Sequence, residues 1–330
     1  MFLLSRADME KVFSIQDAIQ AVEEGFCLFS AGKVSIPQRT VIPSEHEEGT
    51  FLFMPAYCGQ LGAASLKIVD VFPHNHTCGL PTTPAQVLLM DDQTGIPFAL
   101  LDGTYVTQLR TGAASGAAIR CLARKDCRKG ALIGAGGQAE AQLRAMLAAR
   151  DLDEVAVFDA NKNLCGQFVE RLSQTFAGNH VVIRQADSGD EAVSEADVII
   201  TVTPSKTPVF HGETVKDGAI ISAVGSYKPD MQEIDPKLVE RVARIYCDSQ
   251  EAVLAEAGDI IRPLEQGVLS RSKLFADLGE VLLGQKPGRM NEQEILLFET
   301  VGIGIQDLIT AHHIYHAARK FEEPIGYEWG

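Results

Sequence analysis

Gly130-Ala131-Leu132-Ile133-Gly134-Ala135-Gly136-Gly137-Gln138-Ala139 is a short apolar strand that runs into a glycine-rich turn, and an alanine-rich helix follows over 140–150. Gly134 permits the tight strand-to-helix turn, and Gly136 lets the backbone approach a pyrophosphate. Ala139 lets the helix lie close on the strand, and the first helical N–H groups point at the phosphates. Gly137 and Gln138 sit in the same turn. A second strand over 154–158 ends at Asp159, close to the spacing expected for a carboxylate that grips the adenosine ribose. The stretch predicts a dinucleotide-binding βαβ unit.

Strand and helix alternate on from there. Strands are predicted at 130–134, 154–158, 180–185, 197–203 and 218–225, which implies a parallel sheet covered on both faces. Before the motif, from Arg39 to about Leu101, strand-like runs cover 51–54, 64–71, 85–90 and 96–101, and Asp91-Asp92-Gln93-Thr94-Gly95 reads as a hairpin turn. Ser14 and Asp17 form a capping-box signature ahead of a helix carrying Ile15, Ala18, Ile19, Val22, Phe26 and Phe29. A small-residue helix is predicted over 107–122, and a last long helix over 292–320 with Leu297, Val301, Ile305, Leu308 and Ile309 on one side. The predicted architecture is α/β: a Rossmann doubly wound parallel sheet over 121–304, plus a discontinuous α+β substrate-binding and dimerisation domain over 1–120 and 305–330.

The chain has 330 residues, enough for two cores, with 46% hydrophobic and 22% charged residues. Its net charge of −15 argues against nucleic acid or an anionic membrane as partner. No apolar run reaches the ~20 residues of a bilayer span. Seven scattered cysteines without a C-x-x-C pair suggest reduced thiols, and with no signal-peptide pattern the expected location is cytoplasmic.

Three cations in the first domain could do chemistry: Arg39, Lys67 and Arg110. Lys67 lies between Leu66, Ile68 and Val69. Strand alternation lets it point either to solvent or into a cleft. In a cleft, desolvation and neighbouring cations would lower its pKa and make it an acid/base group. Arg110 could grip a carboxylate bidentately or serve a surface ion pair. His74, His76 and Cys78 lack the spacing of a closed metal site and read as a polar loop, so no metal is expected. His312, His313 and His316 read as residues on a helix face. In the nucleotide half, Thr201, Thr203 and the run Ala223-Val224-Gly225-Ser226 end the fourth and fifth strands, where ligands of open α/β sheets bind. Asp159 would repel a 2′-phosphate and favour NAD(H), with nearby Lys162 keeping NADP(H) open.

Taken in order, Phe53-Met54-Pro55-Ala56-Tyr57, Gly79-Leu80-Pro81-Thr82, Leu101-Asp102-Gly103-Thr104-Tyr105 and Leu109-Arg110-Thr111-Gly112-Ala113 resemble segments of the ornithine cyclodeaminase/μ-crystallin family. So do Ile133-Gly134-Ala135-Gly136, Ala223-Val224-Gly225, residues 248–252, Gly258-Asp259 and residues 276–280. The resemblance covers nearly the whole chain. It implies a homodimer acting on a small imine or amino-acid substrate. It also implies that Arg39, Lys67 and Arg110 hold the substrate carboxylate, with Lys67 near the reacting carbon and nitrogen, and with Met54 and Val301 at the substrate. Thr82, Arg110, Thr111, Gly134, Gly136, Gly137, Gln138, Ala139, Asp159, Thr201, Thr203, Ala223 through Ser226 and Thr300 would line the dinucleotide.

Two positions depart from the cyclodeaminases. Leu52 stands where they carry a Glu for the distal amine, and Tyr227 where they and the alanine dehydrogenases carry a catalytic Asp. The resemblance is therefore to the Δ1-pyrroline-2-carboxylate (ketimine) reductases and μ-crystallin. It implies reduction of a cyclic ketimine acid, Δ1-pyrroline-2-carboxylate or Δ1-piperideine-2-carboxylate, to proline or pipecolate. Alternatives are ornithine cyclodeaminase, alanine dehydrogenase or a μ-crystallin-like small-molecule carrier. No acidic partner is expected for the three cations.

Overall fold

The structure, a computed structural model, describes residues 1–45 and 49–321. The side chain of His76 and residues 322–330 of the expected 305–330 segment lie outside the described residues. The chain divides into two compact units. One holds residues 1–110 and the described residues from 303 onward, the other residues 111–302. These breaks come earlier than the 120/121 and 304/305 expected.

In the first unit, β1 (Phe2–Leu4), β2 (Thr40–Pro43), β3 (Thr50–Cys58), β4 (Ala63–Val71), β5 (Ala85–Asp91) and β6 (Pro97–Asp102) make one sheet in the order β1-β6-β5-β4-β3-β2. Only β1 with β6 is parallel. The β5–β6 turn forms as expected: the Asp91 carboxylate accepts the Gln93 and Thr94 N–H groups, and Gly95 takes φ +71°. Helices α1 (Arg6–Val12) and α2 (Ile15–Ser30) both start at capping boxes, Ser5 with Asp8 and the predicted Ser14 with Asp17. A C-terminal helix, α11 (Gly304–Ala318), packs on α2 and on β3, β4 and β5. Alternation along β4 buries Ala63, Ser65, Lys67 and Val69 on the helix-covered face. Ala64, Leu66 and Ile68 go to the other.

Helix α3 (Gly103–Leu122) carries the first break. The second unit is an all-parallel sheet of β7 (Lys129–Ile133), β8 (Glu154–Phe158), β9 (Val182–Gln185), β10 (Val198–Thr201), β11 (Ile220–Ala223), β12 (Arg244–Cys247), β13 (Leu274–Asp277) and β14 (Leu296–Glu299), in the order β13-β12-β14-β11-β10-β7-β8-β9. Helices α4 (Ala139–Ala149), α5 (Lys162–Thr175), α6 (Gly189–Val193), α7 (Pro236–Arg241), α8 (Gln250–Glu256), α9 (Gly258–Glu265) and α10 (Leu278–Leu282) connect them. A Cβ on Gly112 would lie 2.5 Å from the Ala141 carbonyl oxygen, so α3 and α4 approach backbone to backbone. The Rossmann sheet and the separate α+β unit match the expected fold class.

The predicted helix over 292–320 is corrected. Its first part is β14, paired between β11 and β12, and α11 begins only after Gly302 turns the chain at φ +81°. A fully buried parallel strand reads as a continuous apolar run, which periodicity alone does not separate from a buried helix. No helix among the described residues is long and apolar enough to cross a membrane.

Candidate active site

Lys67 is 1% exposed, so of its two orientations the structure shows the inward one. Its neighbours across the ladder are Met54 on β3 and Val87 on β5, both buried and apolar. An ammonium there needs a partner, and α11 supplies it. Lys67 Nζ lies 2.7 Å from Asp307 Oδ2, and Asp307 is itself 1% exposed. Arg110 Nε donates to Asp307 Oδ1 at 3.1 Å, and Arg110 Nη1 to Gln306 Oε1 at 2.8 Å. Gln306 Oε1 also accepts from the Ile303 N–H. The expected absence of an acidic partner is thus corrected: one carboxylate bridges Lys67 and Arg110.

Desolvation is the main influence on Lys67 and lowers its pKa to about 7. Asp307 opposes the shift, while the charges of Arg110 and Arg39 deepen it. Arg39 is half-buried just before β2. Met54 packs with Val69, Ala85 and Leu52, so the place where cyclodeaminases carry a Glu is apolar here.

In the second unit the glycine-rich turn has the predicted form. Gly134 takes φ +111°, and a Cβ there would lie 2.8 Å from the Val202 carbonyl oxygen. Around Gly136 nothing lies within 4 Å of an added Cβ. Gly136 and Gly137 are exposed and Ala139 is buried. The Gln138 side-chain oxygen is buried with no hydrogen-bond partner. Asp159 ends β8 and accepts from Ala135 N at 2.8 Å and Asn161 N at 2.8 Å, which ties it to the turn. An open turn, an orphaned acceptor and a carboxylate at the next strand end fit a dinucleotide pyrophosphate and ribose.

The strand ends across the sheet are also tied together. Glu233, fully buried, accepts from Thr201 Oγ1, from both N and Oγ1 of Thr203, and from Gly225 N. Burial, then the nearby Asp259 carboxylate, push its pKa up to about 8 against those donors. Asp259 accepts from the Glu233 and Ile234 N–H groups. Ser226 Oγ donates to the Met231 carbonyl and accepts from Asp259 N. Thr300 Oγ1 donates to Asp248 at 2.7 Å. Ala223 and Val224 are buried at the β11 end.

The remaining candidates are scattered. Thr82 is an exposed loop residue whose carbonyl accepts from Phe72 N. Thr111 is buried on α3, and Val301 lies in the apolar core of the second unit. Lys162 is exposed, 4.0 Å from Asp187. Tyr227 is half-buried with Lys228 over its ring. His312 and His316 lie on α11, 3.1 Å apart through their Nε2 atoms.

Sequence reasoning missed Asp307, Gln306, Glu233, Asp259 and Asp248. The signal for the first was available. Asp307 is a lone acid in the otherwise uncharged stretch 303–311, and Lys67 is a lone base in an apolar strand. Two such misfits are candidates for each other.

The profile of the ornithine cyclodeaminase/mu-crystallin family matches residues 1–322. The chain is 36% identical to a Delta(1)-pyrroline-2-carboxylate reductase of Bacillus cereus, over 96% of this chain and 97% of that protein. Its fold is similar to the solved structure of Thermococcus litoralis Delta(1)-pyrroline-2-carboxylate reductase in complex with NADH and L-proline, with TM-score 0.92 and 39% identity, covering 97% and 98% of the two chains. An archaeal alanine dehydrogenase dimer with bound NAD superposes with TM-score 0.91 and 34% identity, covering 100% and 99%.

Proposed function

This chain belongs to the ornithine cyclodeaminase/mu-crystallin family, and we propose that within it the chain reduces Δ1-pyrroline-2-carboxylate, a small cyclic ketimine acid, to L-proline with a nicotinamide dinucleotide. The observation that carries the reading is the buried Lys67–Asp307–Arg110 constellation, with Lys67 tuned to about 7. An acid of that strength is poised to exchange protons near neutrality. The names of the Bacillus cereus and Thermococcus litoralis relatives support the substrate.

Arg39 and Arg110 hold the substrate carboxylate. A guanidinium has five N–H donors, and Asp307 and Gln306 engage Nε and one on Nη1 of Arg110. Lys67 Nζ gives a proton to the ring nitrogen as the C=N bond becomes single and the ring carbon gains a hydride. When bound, the reduced nicotinamide supplies that hydride. Gly134, Gly136, Gly137, Gln138, Ala139 and Asp159 hold its adenosine and pyrophosphate. Thr201, Thr203, Ala223 through Ser226 and Thr300 hold its other half. The apolar wall of Leu52 and Met54 suits ring methylenes and offers nothing to the distal ammonium of ornithine, which disfavours the cyclodeaminase reading.

The test mixes the protein with NADH and chemically generated pyrroline-2-carboxylate, then separately with ornithine and NAD+. NADH loss in the first mixture and no ammonia in the second is the expected result. Ammonia and proline from ornithine, or binding of both without turnover, would overturn it.

In this reading the Asp159 carboxylate faces the adenosine ribose and would repel a 2′-phosphate, so NAD(H) is preferred over NADP(H). Asp159→Ala narrows the NADH-to-NADPH ratio of kcat/KM by about tenfold or more. An unchanged ratio would remove Asp159 from ribose recognition.

The protein assembles as a homodimer through the sheet face opposite Lys67. Phe53, Leu66, Leu88, Met90 and Leu100 are only partly buried there, and Ile68 is 37% exposed. A continuous apolar face of this kind marks an interface. Ile68→Glu converts the dimer to monomer in light scattering after gel filtration; a dimer of unaltered mass would count against that face.

A further inference from the structure

Strand order divides the work of the parallel sheet. From β7 the chain runs out through β8 and β9 on one side, then returns to β7's other side and runs out through β10 and β11. A dinucleotide lies across this reversal, with one nucleotide on each half. Asp159 at the end of β8 marks the adenosine half, so the ends of β10 and β11 serve the nicotinamide half.

Those two ends are not held by the sheet ladder alone. β10 and β11 stop pairing at Thr201 and Ala223, and the residues just beyond are among those expected to line the dinucleotide. One side chain spans them. Glu233 Oε1 accepts from Thr203 N at 2.6 Å and Thr203 Oγ1 at 2.7 Å, while Oε2 accepts from Gly225 N at 2.7 Å and Thr201 Oγ1 at 2.9 Å. Four donors on two oxygens match the acceptor capacity of an ionised carboxylate, the form that Glu233 takes above its raised pKa of about 8. The fit is close: a Cβ on Gly225 would lie 2.1 Å from the Thr203 carbonyl oxygen and 2.6 Å from the Glu233 carboxyl. Behind Glu233, the Asp259 carboxylate accepts from the Glu233 and Ile234 N–H groups and fixes the backbone that presents the clamp.

We propose that Glu233 is a positioning residue that sets the spacing of the β10 and β11 ends for the nicotinamide half of the dinucleotide. The proposal rests on the dinucleotide reading above and adds a division of labour within it. In Glu233→Gln the amide keeps the size but turns an NH2 toward N–H groups, so one strand end loses its acceptor.

At about pH 9, where Glu233 is ionised, the experiment titrates NADH and ADP-ribose, which lacks the nicotinamide, against wild type and Glu233→Gln, and records thermal unfolding of each unliganded protein. The expected result is a rise of about tenfold or more in the NADH Kd, with ADP-ribose affinity nearly unchanged. Equal weakening of both ligands would mean general loosening, and no change in either would mean no role; each overturns the proposal. Glu233→Asp, which keeps the carboxylate but shortens its reach by one methylene, shifts the same ratio in the same direction by a smaller factor. It decides the matter if Glu233→Gln does not fold. Wild type that binds neither ligand would instead overturn the dinucleotide reading, and the clamp with it.

Discussion

Lys67→Met lowers kcat for imine reduction by about a thousandfold, the scale of a lost general acid, and leaves NADH affinity near wild type. Methionine matches the length of the lysine stem and suits the apolar flanks of Met54 and Val87, so the sheet accepts it. Asp307 keeps its bond to Arg110 and is not abandoned as a bare buried charge. A variant that folds, binds NADH and does not turn over isolates the proton from the hydride. Turnover at the wild-type rate would take Lys67 out of the mechanism. In wild type the sign with pH follows from the direction of the shift. Lys67 is lowered to about 7, so it is protonated below that value and neutral above it. Reduction needs the ammonium and slows as pH rises through about 7. Oxidation of the amino acid needs the neutral amine and speeds up over the same range.

Asp307→Asn moves that midpoint. Asp307 is the one group at Lys67 that raises its proton affinity, against burial, Arg110 and Arg39. Without its charge the Lys67 pKa falls further, and the midpoint of the reduction profile drops by about 1–2 units. At pH 7 the variant is slow, and acid partly restores it. Stability falls too, by about 3–5 kcal/mol, because the buried Arg110 loses its counter-ion and Lys67 gives up its proton. The pH–rate profile and a denaturant titration read the two effects separately. A profile with an unmoved midpoint would show that the proton comes from elsewhere.

The turn at Gly134–Ala139 and the carboxylate of Asp159 were legible because backbone conformation and phosphate approach demand particular residues at particular spacings. Capping at Ser14 and the Asp91–Gly95 turn were legible for the same local reason. Lys67 was visible as an anomaly, but strand alternation gives two faces and no means of choosing between them. The choice is made by α11, more than two hundred residues later, and pairing over that distance leaves no periodic trace. The Glu233 clamp was hidden differently: two of its partners are backbone N–H groups, which every strand end has, and the other two are threonine hydroxyls that name no partner by themselves. The misassigned stretch before α11 shows the limit of apolar pattern, since Ile295 to Phe298 is apolar at every position.

That stretch also dictates how the molecule is made. Among the described residues β14 is the last strand, yet it lies between β11 and β12 and is the only bridge from the rest of the sheet to β12 and β13. During synthesis those two strands emerge with only each other to join, and the ribosome must reach residue 299 before the sheet can close. The final pairing links segments far apart in the chain, which slows folding. Unpaired edges remain exposed meanwhile, when nascent chains are prone to stick to one another. Recombinant yield should therefore depend on how slowly the ribosome moves and on chaperone supply more than on the stability of the finished sheet.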